Sequence, residues 1–242
     1  MRLEDTIVSA NYATLMLRLC EKKSIPMPSV LKGTDIDPEI FTLSSAFITG
    51  KQFVQLCQNA LELYDDPAFG IHYGLELSIS THGMVGFAAM TSPNLREGLD
   101  IMMRYYKSIF SLITLNLNEN GGMVIFDFDI PFNVGVLQDK MIDGFLIGFG
   151  SVANFLLGDR IPPVRIRLRS PYNPSYDTIP DFFDANVEFE CKKNELIFDA
   201  NLLEISLPAA DPQTVLVARE HCDHLMKQVE VTETFPDQVR KN

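Results

Sequence analysis

Apolar positions recur at helical spacing in several stretches of the chain. In "GKQFVQLCQNALELYDDPAFG", Phe53, Leu56, Cys57, Ala60, Leu61 and Tyr64 share one face, and Asp66-Pro67 ends the run. Residues 6–20 carry a second helical pattern, followed by the proline-punctuated connection "SIPMPSVLKGTDIDPEIF". From Ser92 the signals sharpen. Ser92 suits a cap, Pro93 suits the first helical position, and Leu95, Leu99, Met102, Tyr106 and Ile109 line one side. "LQDKMIDGFLIGFGSVANFLLGD" predicts a long helix with Leu137, Met141, Phe145, Phe149, Val152 and Leu156 inward and Gly158 as its stop. A tail helix over 211–229 aligns Val215, Ala218, Cys222, Leu225 and Val229.

Period-two alternation marks the strands. "SLITLNL" and "MVIFDFDI" form a hairpin around "NENGG", and "PVRIRLRS" sets Val164, Ile166 and Leu168 against Arg165, Arg167 and Arg169. "NVEFE" and "ELIFD" give two more strands around "CKKN", and a short helix is expected over 175–182. The stretch "FGIHYGLELSISTHG" has no clean period and reads as irregular structure leading into a turn at His82. This order implies an α+β fold, an antiparallel-rich sheet with helices packed over one face. The expected organisation is one domain over 1–210, helical to about 109 and mixed sheet over 110–210, then a helical tail over 211–242.

The chain has 242 residues, 46% of them hydrophobic, enough for a core of ordinary size. Its formal charge of -12 repels a polyphosphate backbone, so nucleic acid is not expected on this part of the chain. Cys20, Cys57, Cys191 and Cys222 lie too far apart for a C-x-x-C motif. No apolar run reaches the roughly 20 residues of a spanning helix. "MRLEDTIVSANYATLMLRLCEKK" lacks the basic start of a signal peptide, so a cytoplasmic protein with no membrane partner is expected.

Candidate chemistry is sparse. His221 and His224 in "EHCDH" share a helix face, but no other segment offers further ligands, and no metal is expected. No G-x-S-x-G elbow or paired carboxylates accompany His82, so an enzyme is not expected; a small-molecule hydrolase is kept only as an alternative. Gly83 and Gly86 let the backbone at His82 approach something closely, either as a tight turn on the sheet or as the wall of a pocket. Arg104 either reaches solvent or meets a buried anion. Gly144, Gly148 and Gly150 leave room for close packing or for a cavity. The arginine stripe of 165, 167 and 169 is explained by cross-strand pairing with Glu188 and Glu190.

The stretches "DDPAFGIHYGLELSISTHGMVGFAAMTSPNLREGLDIMMRYY", "YDTIPDFFDANVEFECKKNELIFDANLLEISLPAADP" and "HCDHLM" carry a resemblance. The first combines D-P-x-x-G, H-G-x-x-G-[FY]-A and S-x-x-L-x-x-x-L. From Pro26 to Gln228 the chain resembles the effector domain of AraC-type transcriptional regulators of the arabinose-binding class. The resemblance implies a ligand-sensing, homodimerising domain without cofactor, followed by a helix-turn-helix part that alone meets promoter DNA. In "FPDQVRKN", Phe235, Val239 and Arg240 match the opening of that part, where the chain stops, so the recognition helices are expected to be missing. The implied effector is a small organic molecule, such as an organic acid, amino acid or fatty acid. Its expected pocket comprises His82, Met84, Phe87, Arg104, Tyr105, Phe145 and Phe149, with Arg104 or His82 as the anion partner. A haem or gas-sensing module is a second alternative, by fold-level analogy.

Overall fold

A computed structural model describes residues 2–43, 45–158, 164–179 and 185–239. Two three-residue strands, β1 (Ile7–Ser9) and β2 (Phe47–Thr49), pair antiparallel, and each runs straight into a helix: α1 (Ala10–Lys22) and α3 (Gly50–Tyr64). Ser9 and Thr49 cap those helices through their side chains, so each strand ends where its cap begins. The sequence pattern had placed residues 6–9 inside the first helix. Three residues are too few to show alternation, and β1 reveals itself only through its partner. The short α2 (Met27–Val30) lies between these units.

The stretch expected to be irregular is largely helical: α4 (Phe69–Glu76), a 3-10 turn (Ile79–His82) and α5 (Gly83–Met90). Both helices are buried on most sides and so carry no polar stripe for a period to reveal. Gly83, with φ of 58°, swings the chain from the 3-10 turn into α5. Helix α6 (Leu95–Tyr105) starts two residues later than expected. Asn94 is its cap, accepting from the Glu97 amide at 3.0 Å, whereas Ser92 is buried and donates to the Ala88 carbonyl at 2.9 Å.

The second unit is a five-stranded sheet in the order β3 (Thr114–Asn120), β4 (Met123–Asp129), β7 (Asn194–Asp199), β5 (Val164–Arg167), β6 (Ala185–Glu188). Neighbours are antiparallel except β5 and β6, which run parallel. Gly121 and Gly122, both at positive φ, close the first hairpin. Arg167 lies 3.2 Å from Glu188 and 3.3 Å from Glu195, while Arg169 turns to Asp129 instead of Glu190. In place of a helix over 175–182, a 3-10 turn covers Pro174–Thr178; residues 180–184 lie outside the described ones.

Helix α7 (Leu137–Leu157) is 21 residues long and, by length and composition, apolar enough to cross a membrane. In this fold it is a core helix. Phe145 and Phe149 stack on Phe126 of the sheet at 6.2 and 5.3 Å, and the opposite side meets α4. There the glycines permit backbone contact: a Cβ on Gly70 would lie 2.2 Å from the Lys140 carbonyl oxygen, and one on Gly74 2.7 Å from that of Gly144. Gly144 thus serves close packing. Helix α8 (Pro212–Val239) closes the domain, with Val215, Ala218 and Cys222 buried against α5 and α6.

Candidate functional site: an apolar cavity between the helices and the sheet

The helices α1, α3, α4, α6 and α7 converge on β3 and β4 around a cavity of about 120 Å³. Helix α6 presents Leu99, Met102 and Met103, and α7 presents Met141, Phe145, Phe149 and Ala153. Met16 and Tyr12 come from α1, Phe126 and Leu115 from the sheet. The volume approaches that of engineered apolar cavities that hold benzene. Methionines on three of the walls make the lining adaptable.

One wall is polar. His82 is 8% exposed, and the Tyr12 hydroxyl stands 2.6 Å from its Nδ1. Burial pushes the imidazole down to about 4, so the ring is neutral at physiological pH. Tyr73 donates to the Tyr12 carbonyl at 3.0 Å, and the Tyr106 ring lies 6.2 Å from that of His82. Burial raises the Tyr12, Tyr73 and Tyr106 phenols as well, leaving them protonated. The cationic side chain at the lining, Lys140, gives its ammonium to the Pro67 carbonyl in an exposed position. Among the described residues no Asp or Glu lines the cavity.

The site residues expected from sequence separate into three places. His82, Phe145 and Phe149 line the cavity. Met84 and Phe87 are on α5, away from the lining, and Phe87 is half exposed. The reason is local: Gly86 packs on the Ile79 carbonyl and Val85 points into the core, which turns Phe87 outward. Arg104 and Tyr105 lie on the far side of α6. Arg104 is exposed and 3.2 Å from Asp223 of α8, and the Tyr105 hydroxyl donates to the same carboxylate at 2.6 Å. Burial and Asp223 push the Tyr105 phenol up to about 12. Arg219 of α8 answers with Glu97 of α6 at 3.2 Å. Sequence reasoning missed Met102, Met103 and Tyr106; the i, i+4 spacing of Leu95, Leu99 and Met103 is the signal that places them opposite Arg104.

Helix α6 therefore has two faces, one against the cavity and one gripping the tail helix. His82 has the hydroxyl of Tyr12 for its partner, and no serine or cysteine side chain among the described residues bonds to it. Among the described residues no group of three or more His, Cys, Asp or Glu side chains forms a metal site.

Residues 25–207 match the family described as the arabinose-binding domain of AraC transcription regulators, N-terminal. The ornithine utilization regulator of Pseudomonas aeruginosa is 24% identical over 235 residues, which are 97% of this chain and 69% of that protein. An uncharacterized HTH-type transcriptional regulator of Mycobacterium tuberculosis is 27% identical over 228 residues, 90% of this chain and 65% of that one. The crystal structure of the transcriptional regulator CdpR from Pseudomonas aeruginosa superposes with a TM-score of 0.60 at 15% identity, covering 86% of this chain and 61% of that chain. These relatives are transcriptional regulators and not enzymes, and the chain spans about two thirds of their length. With three quarters of its length inside the matched region, the chain belongs to the family of N-terminal, arabinose-binding-type domains of AraC transcription regulators.

Proposed function

We propose that the chain is the effector-sensing part of a transcriptional regulator, and that a small organic molecule occupies the cavity beside His82. The observation that carries this reading is the double role of α6. Leu99, Met102 and Met103 form cavity wall, while Glu97, Arg104 and Tyr105 on the same helix hold α8. A ligand that displaces Met102 or Met103 shifts the helix to which the tail is fastened. The tail then biases a helix-turn-helix part elsewhere in the whole protein. Contact with promoter DNA falls to that part, in keeping with the charge of -12 here. A cytoplasmic location follows from such a role.

The expected homodimer has support on α8, where Leu216 and Val217 are 61% and 66% exposed beside α5 with its outward Phe87. A second copy packed on this face would set the spacing of two DNA-binding parts.

A thermal-shift screen of small organic compounds tests the sensing role. Hits are expected to lose their effect in Ala153→Phe and Ala153→Leu, which fill the cavity, with folding checked by circular dichroism. Hits that persist in both filled and folded variants would move the effector site elsewhere.

A further inference from the structure

The chemistry of the lining narrows the effector class, given the reading of the cavity as the effector site. We infer that the cavity takes a neutral ligand with an apolar body and a single hydrogen-bonding group directed at Nε2 of His82.

Three observations carry this. First, the walls are aliphatic, aromatic and thioether surface apart from the tyrosines, His82, the Cys57 thiol, which burial keeps protonated, and the Lys140 stem. A sugar brings a hydroxyl on nearly every carbon, and each one buried without a partner costs free energy. The tyrosines are already committed in part, Tyr12 to His82 and Tyr73 to the Tyr12 carbonyl. Second, charge finds no counterpart inside. An amino acid would bury an ammonium with no carboxylate at the lining to receive it. A carboxylate would face a histidine kept neutral by burial, because Arg104 lies outside on Asp223 and the Lys140 ammonium is held at the exposed Pro67 carbonyl. Third, Tyr12 occupies Nδ1 of His82, and no residue among those described takes Nε2. That nitrogen is the one polar atom of the imidazole left for a ligand; a hydroxyl or an amide matches it in either tautomer, and a carbonyl matches it where Nε2 carries the proton. The family description names arabinose and one relative's name refers to ornithine. Neither chemistry fits this lining.

The test uses the chain with ¹³C-labelled methionine methyl groups. Met16, Met102, Met103 and Met141 line the cavity, and the remaining methionines are internal controls. At pH 8 the probes are benzyl alcohol and 1-hexanol, their ionised counterparts benzoate and hexanoate, and toluene, L-arabinose and L-ornithine. The alcohols are expected to shift the cavity methyls and to bind at least about tenfold more tightly than the carboxylates, with arabinose and ornithine silent. His82→Leu is expected to weaken benzyl alcohol severalfold and leave toluene unchanged. Benzoate binding as tightly as benzyl alcohol, or cavity shifts with arabinose or ornithine, would overturn the assigned class while leaving the cavity as the effector site. Silence of the cavity methyls toward every probe would remove the effector site as well.

Discussion

The contact between α6 and α8 gives the most specific quantitative prediction. Tyr105→Phe keeps the buried ring and removes only the hydroxyl that donates to Asp223 at 2.6 Å. A hydrogen bond to a charged group contributes roughly 1.5–3 kcal/mol when shielded from water. Asp223 is 41% exposed and retains Arg104, itself 62% exposed, so water and the second partner take back part of that. About 1 kcal/mol should remain. Asp223→Asn removes the charge, and the double variant completes a cycle. Urea unfolding of the four proteins is expected to return a coupling energy of about 1 kcal/mol. Hydrogen exchange supplies the local counterpart: amides of residues 212–227 should open about fivefold more readily in Tyr105→Phe, with the strands of the sheet unchanged. Strict additivity in the cycle together with unaltered exchange in α8 would refute the claim that this contact fastens the tail.

Gly70→Ala forces a methyl against the Lys140 carbonyl oxygen, so the α4–α7 contact must open; a loss of about 3 kcal/mol in urea unfolding is expected, and a near-neutral result would contradict the close packing. Asp143, buried and accepting from the Tyr176 hydroxyl at 2.6 Å, is held up to about 6 by burial. A carboxyl raised in the folded state makes the protein lose stability as pH climbs from about 4 to 6, and Asp143→Asn should flatten that slope and gain roughly 1–3 kcal/mol at pH 8 in chemical denaturation. His82 acts in the opposite sense: its depressed value means stability present above pH 6.5 and lost as pH falls toward 4, a dependence that His82→Leu should reduce. Leu216→Glu with Val217→Lys should lower the sedimentation coefficient to that of a monomer while leaving the thermal midpoint within a few degrees, because both side chains point to solvent in the single chain.

The sequence announced those parts of the fold in which one face is wet and the other dry. The hairpin strand β4, α3 and the first turns of α8 alternate in that way, and Val124, Phe126 and Phe128, Phe53, Leu56, Cys57, Ala60 and Tyr64, and Val215, Ala218 and Cys222 are buried. In α7 only Leu137 and Leu156 of the expected stripe are buried; Met141, Phe145, Phe149 and Val152 are half-buried at the cavity, while Ile142, Leu146 and Ile147, outside that stripe, are buried. Helices α4 and α5 are surrounded by protein, so no polar stripe marked their period. Strands β1 and β2 depend on each other across 40 residues, a pairing that local pattern does not contain. The same limits shaped the site. His82, flagged by its glycines, and Phe145 and Phe149, flagged by an inward stripe, do meet at the cavity. Arg104 is adjacent in sequence to Met103, yet one helical step of about 100° carries it off the cavity face and toward α8. Arg104, next to core-facing methionines, looked like an anion partner for a ligand, whereas it is paired with Asp223 of α8, 119 residues away in sequence.

The central claim is that occupancy of the cavity is felt by the tail through α6. Hydrogen exchange followed by mass spectrometry, with and without a saturating compound from the thermal-shift screen, tests it most directly. The account predicts slowed exchange in residues 95–106 and 212–227 together, abolished in Ala153→Phe. Protection confined to the cavity walls on α1, α3 and α7, with α8 exchanging as before, would contradict it.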